Sequence, residues 1–534
     1  AAIIPSRLPS FVCALVSAPL FPASPLPKAG QRLDLPAVHG SADALLLTEI
    51  ATRHPGRLLA VVTENAADAQ RLLDEIPLFA PDLRVRLLPD WETLPYDSFS
   101  PHQDLVSERL ATLWAATQGA LDVLLVPAST AVYRLAPPEF MAAYTFAFKK
   151  GECIDAEKFR AQVTLAGYAN VTQVVSPGEY SIRGGLIDLF PMGSAVPYRL
   201  DLFDDEIESI KTFDVDTQRT IYPVGEVRLL PAREFPMDDP GRTRFRQKFR
   251  EAFEGDPAKS GIYKDVTQGI ASAGIEYYLP LFFEETATLF DYLPKDAVFV
   301  TQGDAPGAIA AFWKDTRSRY ELLQGDKARP LLPPDALFLS DEAFFTAAKN
   351  YGRLALAGKN AAGETSTAKL PDLAVDRRAE DPLGKLRAWL TTQPGRVLLL
   401  AESAGRRETL ASMLAEHGLK PAASADFAAF VAGDAALALA VAPLHAGFAL
   451  GDLALVTETE LYAGSPRRTR REAARKASFD NWLKDLTELK VGDPVVHESH
   501  GIGRYQGLIR MDLGNGEQEF LELHYANAAK LFVP

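Results

Sequence analysis

AVHGSADALLL, residues 37–47, is where reactive side chains and helix geometry come closest to a recognisable chemistry: an apolar run feeds a second apolar run across Gly40-Ser41. A phosphate-binding loop has this outline. Glycine-rich backbone amides at a helix N-terminus hold the phosphates, a lysine reaches the outer ones, and the next Ser or Thr holds magnesium. Gly40 and Ser41 are present but the lysine is not. Gly-Lys pairs occur at Gly358-Lys359, followed by Asn360, and at Gly384-Lys385, followed by Leu386, and neither has a glycine at the required upstream spacing. Without that lysine the charge developing on a transferred phosphoryl group has no fixed counter-cation. The sequence therefore predicts no ATP hydrolysis by these residues.

Other candidate sites are weaker. VTETEL (456–461) ends an apolar run in acids, as a magnesium-binding strand would, but with no phosphate loop to serve it reads as structural. His497 and His500, in HESH, lack a ligand-rich partner segment, so no metal site is expected. Gly501-Ile502-Gly503 is a lone Gly-x-Gly in a β setting and reads as a turn, not a dinucleotide site. No Ser-His-Asp or Cys-His set stands out, so no catalytic residue is assigned. The stretch LLPDWETLPYDSFSPHQDLVSERLATL (87–113) places Trp91, Tyr96 and Phe99 among prolines and acids. Such rings either stack on bases or pack as an ordered connector.

Bulk properties bound these readings. A chain of 534 residues exceeds one ordinary core, and three to five domains are expected. The net charge of −14 argues against a broad nucleic-acid-coating surface, which needs clustered Lys and Arg. SPRRTRREAARK (465–476), with six basic residues and one acid, is a local exception and reads as an exposed interdomain linker. The two cysteines, Cys13 and Cys153, suggest a reducing, cytoplasmic compartment without a disulfide framework. The apolar stretch near residues 10–27 is broken by Pro19, Pro22, Pro25 and Pro27 and is too short to span a bilayer. It reads as a disordered leader, and no membrane partner is expected.

The elements that must position these residues follow from periodicity. ADALLLTEIATRH reads as a helix, RLLAVVT as a buried strand, NAADAQRLLDEIPLF as a second helix and LDVLLVPAS as another strand, an alternation that predicts a parallel sheet. From about residue 128 to 216 the texture turns to β. GEYSIRGGLIDLFPM alternates around Gly184-Gly185, read as a bend or bulge, and Asp204-Asp205 marks a hairpin turn after Tyr198, Leu200 and Leu202, which share a face. A second α/β stretch, including GIEYYLPLFF, runs to about residue 334. A third begins near residue 383 with GRVLLLAES, RRETLASMLAEHG and DLALVTETEL, after a Gly/Ala/Ser/Thr-rich linker, GKNAAGETSTAK. The C-terminal residues, short strands with Gly-rich turns, predict a small β-barrel of the SH3 or Tudor type.

Three long segments carry a resemblance. LPDWETLPYDSFSPHQDLVSERLATL, GEYSIRGGLIDLFPMGSAVPYRLDLFDDEIESIKTFDVDTQRT and VVHESHGIGRYQG with FLELHYANAAKLFVP resemble, in order, the bacterial transcription-repair coupling factors. The resemblance implies a multidomain α/β fold: a degenerate P-loop-like parallel α/β domain with an inserted β-rich domain, a second small α/β domain, and a C-terminal β-barrel. In residue ranges, it implies a leader (1–25), a UvrB-like α/β domain in two parts (26–127 and 217–350) around an inserted UvrA-binding β domain (128–216), a family-specific α/β domain (351–464), a basic linker (465–487) and an RNA polymerase-interacting CarD-like domain (488–534). It also implies an adaptor that recruits UvrA to stalled RNA polymerase, with the ATP- and magnesium-dependent double-stranded DNA translocase lying outside these residues. The competing class is an ATP-dependent excision-repair helicase of the UvrB type, from which the missing lysine separates this chain.

The resemblance also narrows the site residues. In UvrB the segment matching residues 87–113 carries more tyrosines and builds a DNA-clamping hairpin, whereas here it is compact, so Trp91, Pro95 and Tyr96 are expected to form a packed connector. Arg183, opposite in face to Tyr180 and Ile182, is expected to anchor UvrA, against the plainer alternative of a salt bridge to Asp201, Asp204 or Glu206. Phe190 is a second, weaker candidate. After Gly167-Tyr168 the family pattern has a basic residue and this chain has Ala169, so one contact to UvrA is expected to be missing. Leu508, Ile509 and Met511 are expected on an exposed edge that pairs with the polymerase β subunit.

Overall fold

The computed structural model describes residues 20–22, 25–356, 367–376, 378–392, 395–462, 492, 494–497, 501–512, 517–525 and 530–533. It divides into two units, residues 1–463 and 464–534. The expectations for the leader fall mostly, and those for the basic linker wholly, outside the described residues.

The first unit is built on a six-stranded parallel sheet. Its order is Arg32–Leu35, Gly352–Leu356, Val298–Gln302, Leu59–Thr63, Val123–Pro127, Val85–Leu87. Leu59–Thr63 and Val123–Pro127 are buried along their whole length. Continuous apolar runs of this kind suit parallel strands covered on both faces. Three helices join the early strands: α1 (Ala42–Arg53), α2 (Ala66–Phe79) and α3 (Gln103–Thr117). Asn65 caps α2 by accepting from the Asp68 amide at 2.8 Å, which satisfies one of the donors a helix start leaves open.

The chain leaves this sheet at Pro127 and returns at Val298. Between them lies a β-rich excursion. Its neck is a two-stranded ribbon in which Phe146–Lys149, on the way out, pairs antiparallel with Glu226–Leu229, on the way back. Beyond it a six-stranded sheet runs Thr220–Val224, Glu206–Phe213, Tyr198–Phe203, Leu186–Phe190, Glu179–Arg183, Ala169–Asn170. The strands therefore span residues 146–229, later than the 128–216 texture of the sequence, because residues 128–145 fold as two short helices, Ala128–Ala131 and Pro138–Ala143. Gly184-Gly185 is the two-residue turn of the hairpin Glu179–Arg183/Leu186–Phe190, with Gly184 at φ +61°. The register irregularities lie instead on Glu206–Phe213. GIEYYLPLFF, which the sequence places in an α/β stretch, forms the 3-10 helix Ile275–Phe282, preceded by Gly274 at φ +74° and carrying Pro280, which cannot donate to an α-helical ladder.

A second α/β sheet has the order Ala422–Ala423, Leu437–Val441, Arg396–Ala401, Leu453–Thr457, Phe448–Leu450, parallel except for the last strand. Leu398, Leu400, Ala438, Ala440 and Phe448 share one apolar cluster with Leu35, Val61 and Val300 of the first sheet and Leu45 of α1. Gly352–Leu356 joins the first sheet, although the sequence boundary at 351 grouped it with the later domain.

The second unit contains a four-stranded antiparallel sheet in meander order, Pro494–His497, Gly501–Asp512, Glu517–His524, Lys530–Val533. Among the described residues Pro494–His497 and Lys530–Val533 stand at its two ends. No helix among the described residues is long and apolar enough to cross a membrane.

One buried ion pair ties the first sheet to the return of the β-rich excursion. Arg109, on α3, is fully buried. Its Nε donates to Glu234 Oε1 at 2.5 Å, its Nη1 to the Pro89 carbonyl at 2.8 Å, and its guanidinium carbon lies 5.2 Å from the Trp91 ring centroid. Removing one partner strands the other charge in a low dielectric, at a cost of about 3–5 kcal/mol. Urea unfolding is therefore expected to show Glu234→Leu destabilised by that order, with most of the loss recovered in the double variant Arg109→Met/Glu234→Leu. Additive losses would contradict the coupling.

Candidate interaction surfaces

The β-rich sheet commits one face to the core. Tyr180, Ile187, Leu189, Leu200, Ile207 and Ile210 are buried there, against Phe159 and Val163 of the helix Ala156–Leu165. Because side chains alternate across a strand, the other face carries the remaining positions. Strand register aligns Ser181, Asp188, Arg199 and Lys211 in one row and Arg183, Leu186, Asp201 and Ser209 in the next.

Asp188 is the hub of this face. Its side chain is 1% exposed and accepts from Arg199 Nε at 2.7 Å, from Arg199 Nη2 at 2.9 Å and from Arg183 Nη2. The hydrogen bond to Asp188 leads in raising the Arg199 pKa against burial, and the same guanidinium sits 5.0 Å from the Phe213 ring centroid. Arg183 is therefore paired within its own sheet, but through Asp188, not Asp201, Asp204 or Glu206, and its side chain stays half-exposed. Asp201 is engaged by Lys211 Nζ at 2.9 Å and Ser209 Oγ at 2.5 Å. Burial opposes its ionisation, yet these bonds hold its pKa below the usual carboxylate range. Phe190 lies in a small apolar cluster with Val174 and Phe213 and is 7% exposed, so its ring is packing, not surface. Ala169 is exposed on the short edge strand Ala169–Asn170. Exposed Leu186 lies within the second row, and exposed Phe203 follows Asp201 on the same face of its strand. The sequence reading missed Asp188 and Arg199, which strand register brings to the Arg183 face.

Leu508, Ile509 and Met511 lie on the strand Gly501–Asp512, where they pair with Leu521, Phe520 and Gln518. Their side chains are outside the described residues. Among the described residues, Pro494–His497 pairs only with residues 501–504 of that strand and the Gly492 amide donates to the Tyr505 carbonyl at 2.7 Å, so beyond Tyr505 the edge opposite Glu517–His524 has no partner strand. His500 is outside the described residues, and Gly501 to Gly503 open the strand instead of forming a turn. Among the described residues no group of three or more His, Cys, Asp and Glu is placed to hold a metal ion.

The 87–113 stretch packs. Trp91 and Tyr96 are buried, the Tyr96 hydroxyl donates to the Leu332 carbonyl at 2.9 Å, and Trp91 meets Tyr133 and Tyr277 edge-on. Phe99 is the exposed ring, at 52%. Ser100 Oγ donates to Glu276 Oε2 at 2.8 Å, and burial pushes the Glu276 pKa up to about 7.

At the N-terminus of α1 the protein fills its own space. Ser41 N donates to the Ala446 carbonyl at 3.1 Å, and the Ala446 amide donates back to Ser41 Oγ at 3.1 Å. Glu458 and Glu460 of VTETEL are structural: Glu458 accepts from the Glu402 amide at 3.0 Å and pairs with Arg406, and Glu460 completes a capping box with Thr457.

Residues 146–235 match the family described as UvrB interaction domain, residues 389–461 the MFD D3 domain, and residues 489–534 the CarD-like/TRCF RID domain. The chain is 42% identical over 515 residues to the transcription-repair-coupling factor of Escherichia coli K12, covering 95% of this chain and 44% of that protein. The chain belongs to the transcription-repair-coupling factor family. The Haemophilus influenzae relative is 40% identical over 506 residues (92% and 44%), and that of Bacillus subtilis 25% over 539 residues (94% and 44%). The chain thus spans less than half the length of these transcription-repair-coupling factors.

Within this family member Glu276 gives a pH signature. A carboxyl whose folded pKa of about 7 exceeds its ordinary 4.5 binds more protons folded than unfolded between those values. Stability is therefore lost as pH rises from about 4.5 through 7. Glu276→Gln removes that loss, so its melting temperature is expected to exceed wild type at pH 8, by an equivalent on the order of 1–3 kcal/mol, and to match it near pH 4.5. Parallel melting curves across that range would refute the assignment.

Proposed function

We propose that this chain is a non-catalytic adaptor that recruits the UvrA excision-repair machinery to stalled RNA polymerase. The observation that carries the reading is the ordered match of a UvrB interaction domain and a CarD-like/TRCF RID domain to two separate β structures of one chain. In a longer protein the platform would work beside an ATP- and magnesium-dependent double-stranded DNA translocase that displaces the polymerase. A UvrB-type helicase within these residues is disfavoured by the missing phosphate-loop lysine and by the protein atoms filling the start of α1.

In this proposal the charged face of the β-rich sheet docks UvrA. Arg183 is its anchor, half-exposed and oriented by Asp188. Reversing a desolvated anchor costs roughly 2 kcal/mol or more, about a 30-fold rise in Kd. Arg183→Glu is expected to show that rise in a UvrA titration with its circular dichroism spectrum unchanged, and an unchanged Kd removes Arg183 from the contact.

The second surface is the edge of Gly501–Asp512 beyond Tyr505, which has no partner strand among the described residues and would pair with a sheet of the polymerase β subunit. A charge set into an apolar edge contact is buried without a partner, which costs several kcal/mol. Leu508→Arg and Ile509→Arg are expected to abolish polymerase pull-down and to leave UvrA binding intact. The comparison is made in this chain and in one extended past residue 534. Polymerase binding by both variants would show that the surface lies elsewhere.

A further inference from the structure

A helix N-terminus that follows a parallel strand attracts phosphate, because its free amides and dipole favour an anion. In this chain that position, at Gly40-Ser41, is taken by the loop that precedes the strand Phe448–Leu450 of the second sheet. Four backbone groups of the loop point into it. The Ala446 carbonyl accepts from Ser41 N at 3.1 Å, the Ala446 amide donates to Ser41 Oγ at 3.1 Å, and the His445 amide donates to Glu75 Oε1 at 2.6 Å. The Gly447 carbonyl closes against Gly40, whose φ is +56°, and a Cβ on Gly40 would sit 2.3 Å from that oxygen and 2.9 Å from the Ala446 oxygen.

The charges of a nucleotide site are reproduced by side chains. Where a phosphate would bring negative charge stand Asp43, whose Oδ1 accepts from the Ala44 amide at 2.8 Å, and Glu75, which accepts from Ser41 Oγ at 2.7 Å. Where a lysine would bring positive charge stands Arg71 on α2, donating to Asp43 Oδ1 at 2.8 Å, Asp43 Oδ2 at 2.5 Å and Glu75 Oε2 at 2.8 Å. All three side chains are at most 10% exposed. Gln302, at the end of a central strand, donates to Asp43 Oδ2 at 3.3 Å.

The loop is fixed on its own side as well. Glu460 Oε1 accepts from the Gly447 amide at 2.8 Å, and Thr459 Oγ1 donates to the His445 carbonyl at 3.3 Å. A second tie joins the His39 amide to Thr367 Oγ1 at 2.7 Å. We propose that residues 445–447 are a built-in ligand of the α1 N-terminus, which latches the second α/β sheet to the first and closes that terminus to phosphate. The joint between the two sheets is then set by the chain itself and does not respond to nucleotide.

Hydrogen–deuterium exchange on the whole chain tests the latch. Gly40→Ala drives a methyl group into the two loop carbonyls, and Ser41→Ala removes the acceptor of the Ala446 amide while leaving the helix intact. Peptides covering residues 441–448 and 39–44 are expected to exchange at least tenfold faster in Gly40→Ala, and measurably faster in Ser41→Ala. Peptides covering residues 59–63 and 396–401 are expected to exchange at the wild-type rate. Unchanged protection at 441–448 in Ser41→Ala, or in a folded Gly40→Ala, overturns the proposal. So does magnesium-ATP that binds the wild-type chain and alters exchange at 441–448. UvrA and polymerase binding are separate readouts, so a failed latch leaves the adaptor reading standing.

Discussion

The burial of one guanidinium constrains the first unit more than any other interaction. Arg109 is surrounded by protein, and a charge in that setting is tolerated only where its donors are met. Its partners come from two distant segments: Pro89 from the connector and Glu234 from the chain returning out of the β-rich excursion. The position of the connector and the exit of the excursion are thereby set against α3. The connector's own geometry follows. Glu92 and Tyr96 have φ of +57° and +65°, which costs L-residues of order 1–3 kcal/mol each and persists only where surroundings over-determine the backbone. The buried Tyr96 ring, its hydroxyl bond to Leu332 and the Trp91 indole over Arg109 provide that determination. Trp91 and Tyr96 are thereby buried away from any base, and of the three rings of this segment Phe99 is the exposed one.

The same chemistry recurs at three other joints. Arg71 gathers Asp43 and Glu75, Arg199 and Arg183 gather Asp188, and Arg406 gathers Glu458. In each, a nearly buried carboxylate joins two elements through a guanidinium; the planar forks of Arg71 and Arg199 meet both oxygens of their aspartates, and Arg406 meets Glu458 Oε2. Such pairs add little net stability compared with apolar residues of the same size, but they penalise every arrangement that separates the partners. Among the described residues the most deeply buried acids, Asp43, Glu75, Asp188, Glu234 and Glu458, each meet an arginine.

This explains what could be read from the sequence. The strands Leu59–Thr63 and Val123–Pro127 were legible because an unbroken apolar run between helical patterns has few other solutions, and Asp204-Asp205 was legible as a turn because Asp tolerates the φ of +52° seen at Asp204. Alternation placed Arg183 on the outer face. It could not name the partner, because Asp188 is fixed by hairpin register, and register turned on whether Gly184-Gly185 was a turn or a bulge. Arg109 and Glu234 are 125 residues apart, and Glu75 and His445 are 370 apart. No local period carries such pairings. The strand Gly352–Leu356 was misplaced for the same reason: its membership of the first sheet is decided by Arg32–Leu35 and Val298–Gln302, not by its neighbours in sequence.

The outer face of the β-rich sheet shows how an arginine can be paired and still be available. If Arg183 were the only partner of Asp188, swinging it toward another protein would strand a carboxylate that is 1% exposed, and the contact would have to repay that loss. Arg199 removes the difficulty. It holds both Asp188 oxygens, at 2.7 and 2.9 Å, and is itself fixed by the Phe213 ring and the Gln218 carbonyl. Asp188 is therefore satisfied without Arg183. The half-exposed Arg183 is held in a defined direction by a bond it can give up at low cost. Pre-orientation of this kind limits the side-chain entropy lost on binding, which is on the order of 0.5–1.5 kcal/mol for a long side chain. In the proposed contact the arginine that binds is thus the spare member of a three-residue cluster, and the other two members keep the sheet intact whether or not a partner is present.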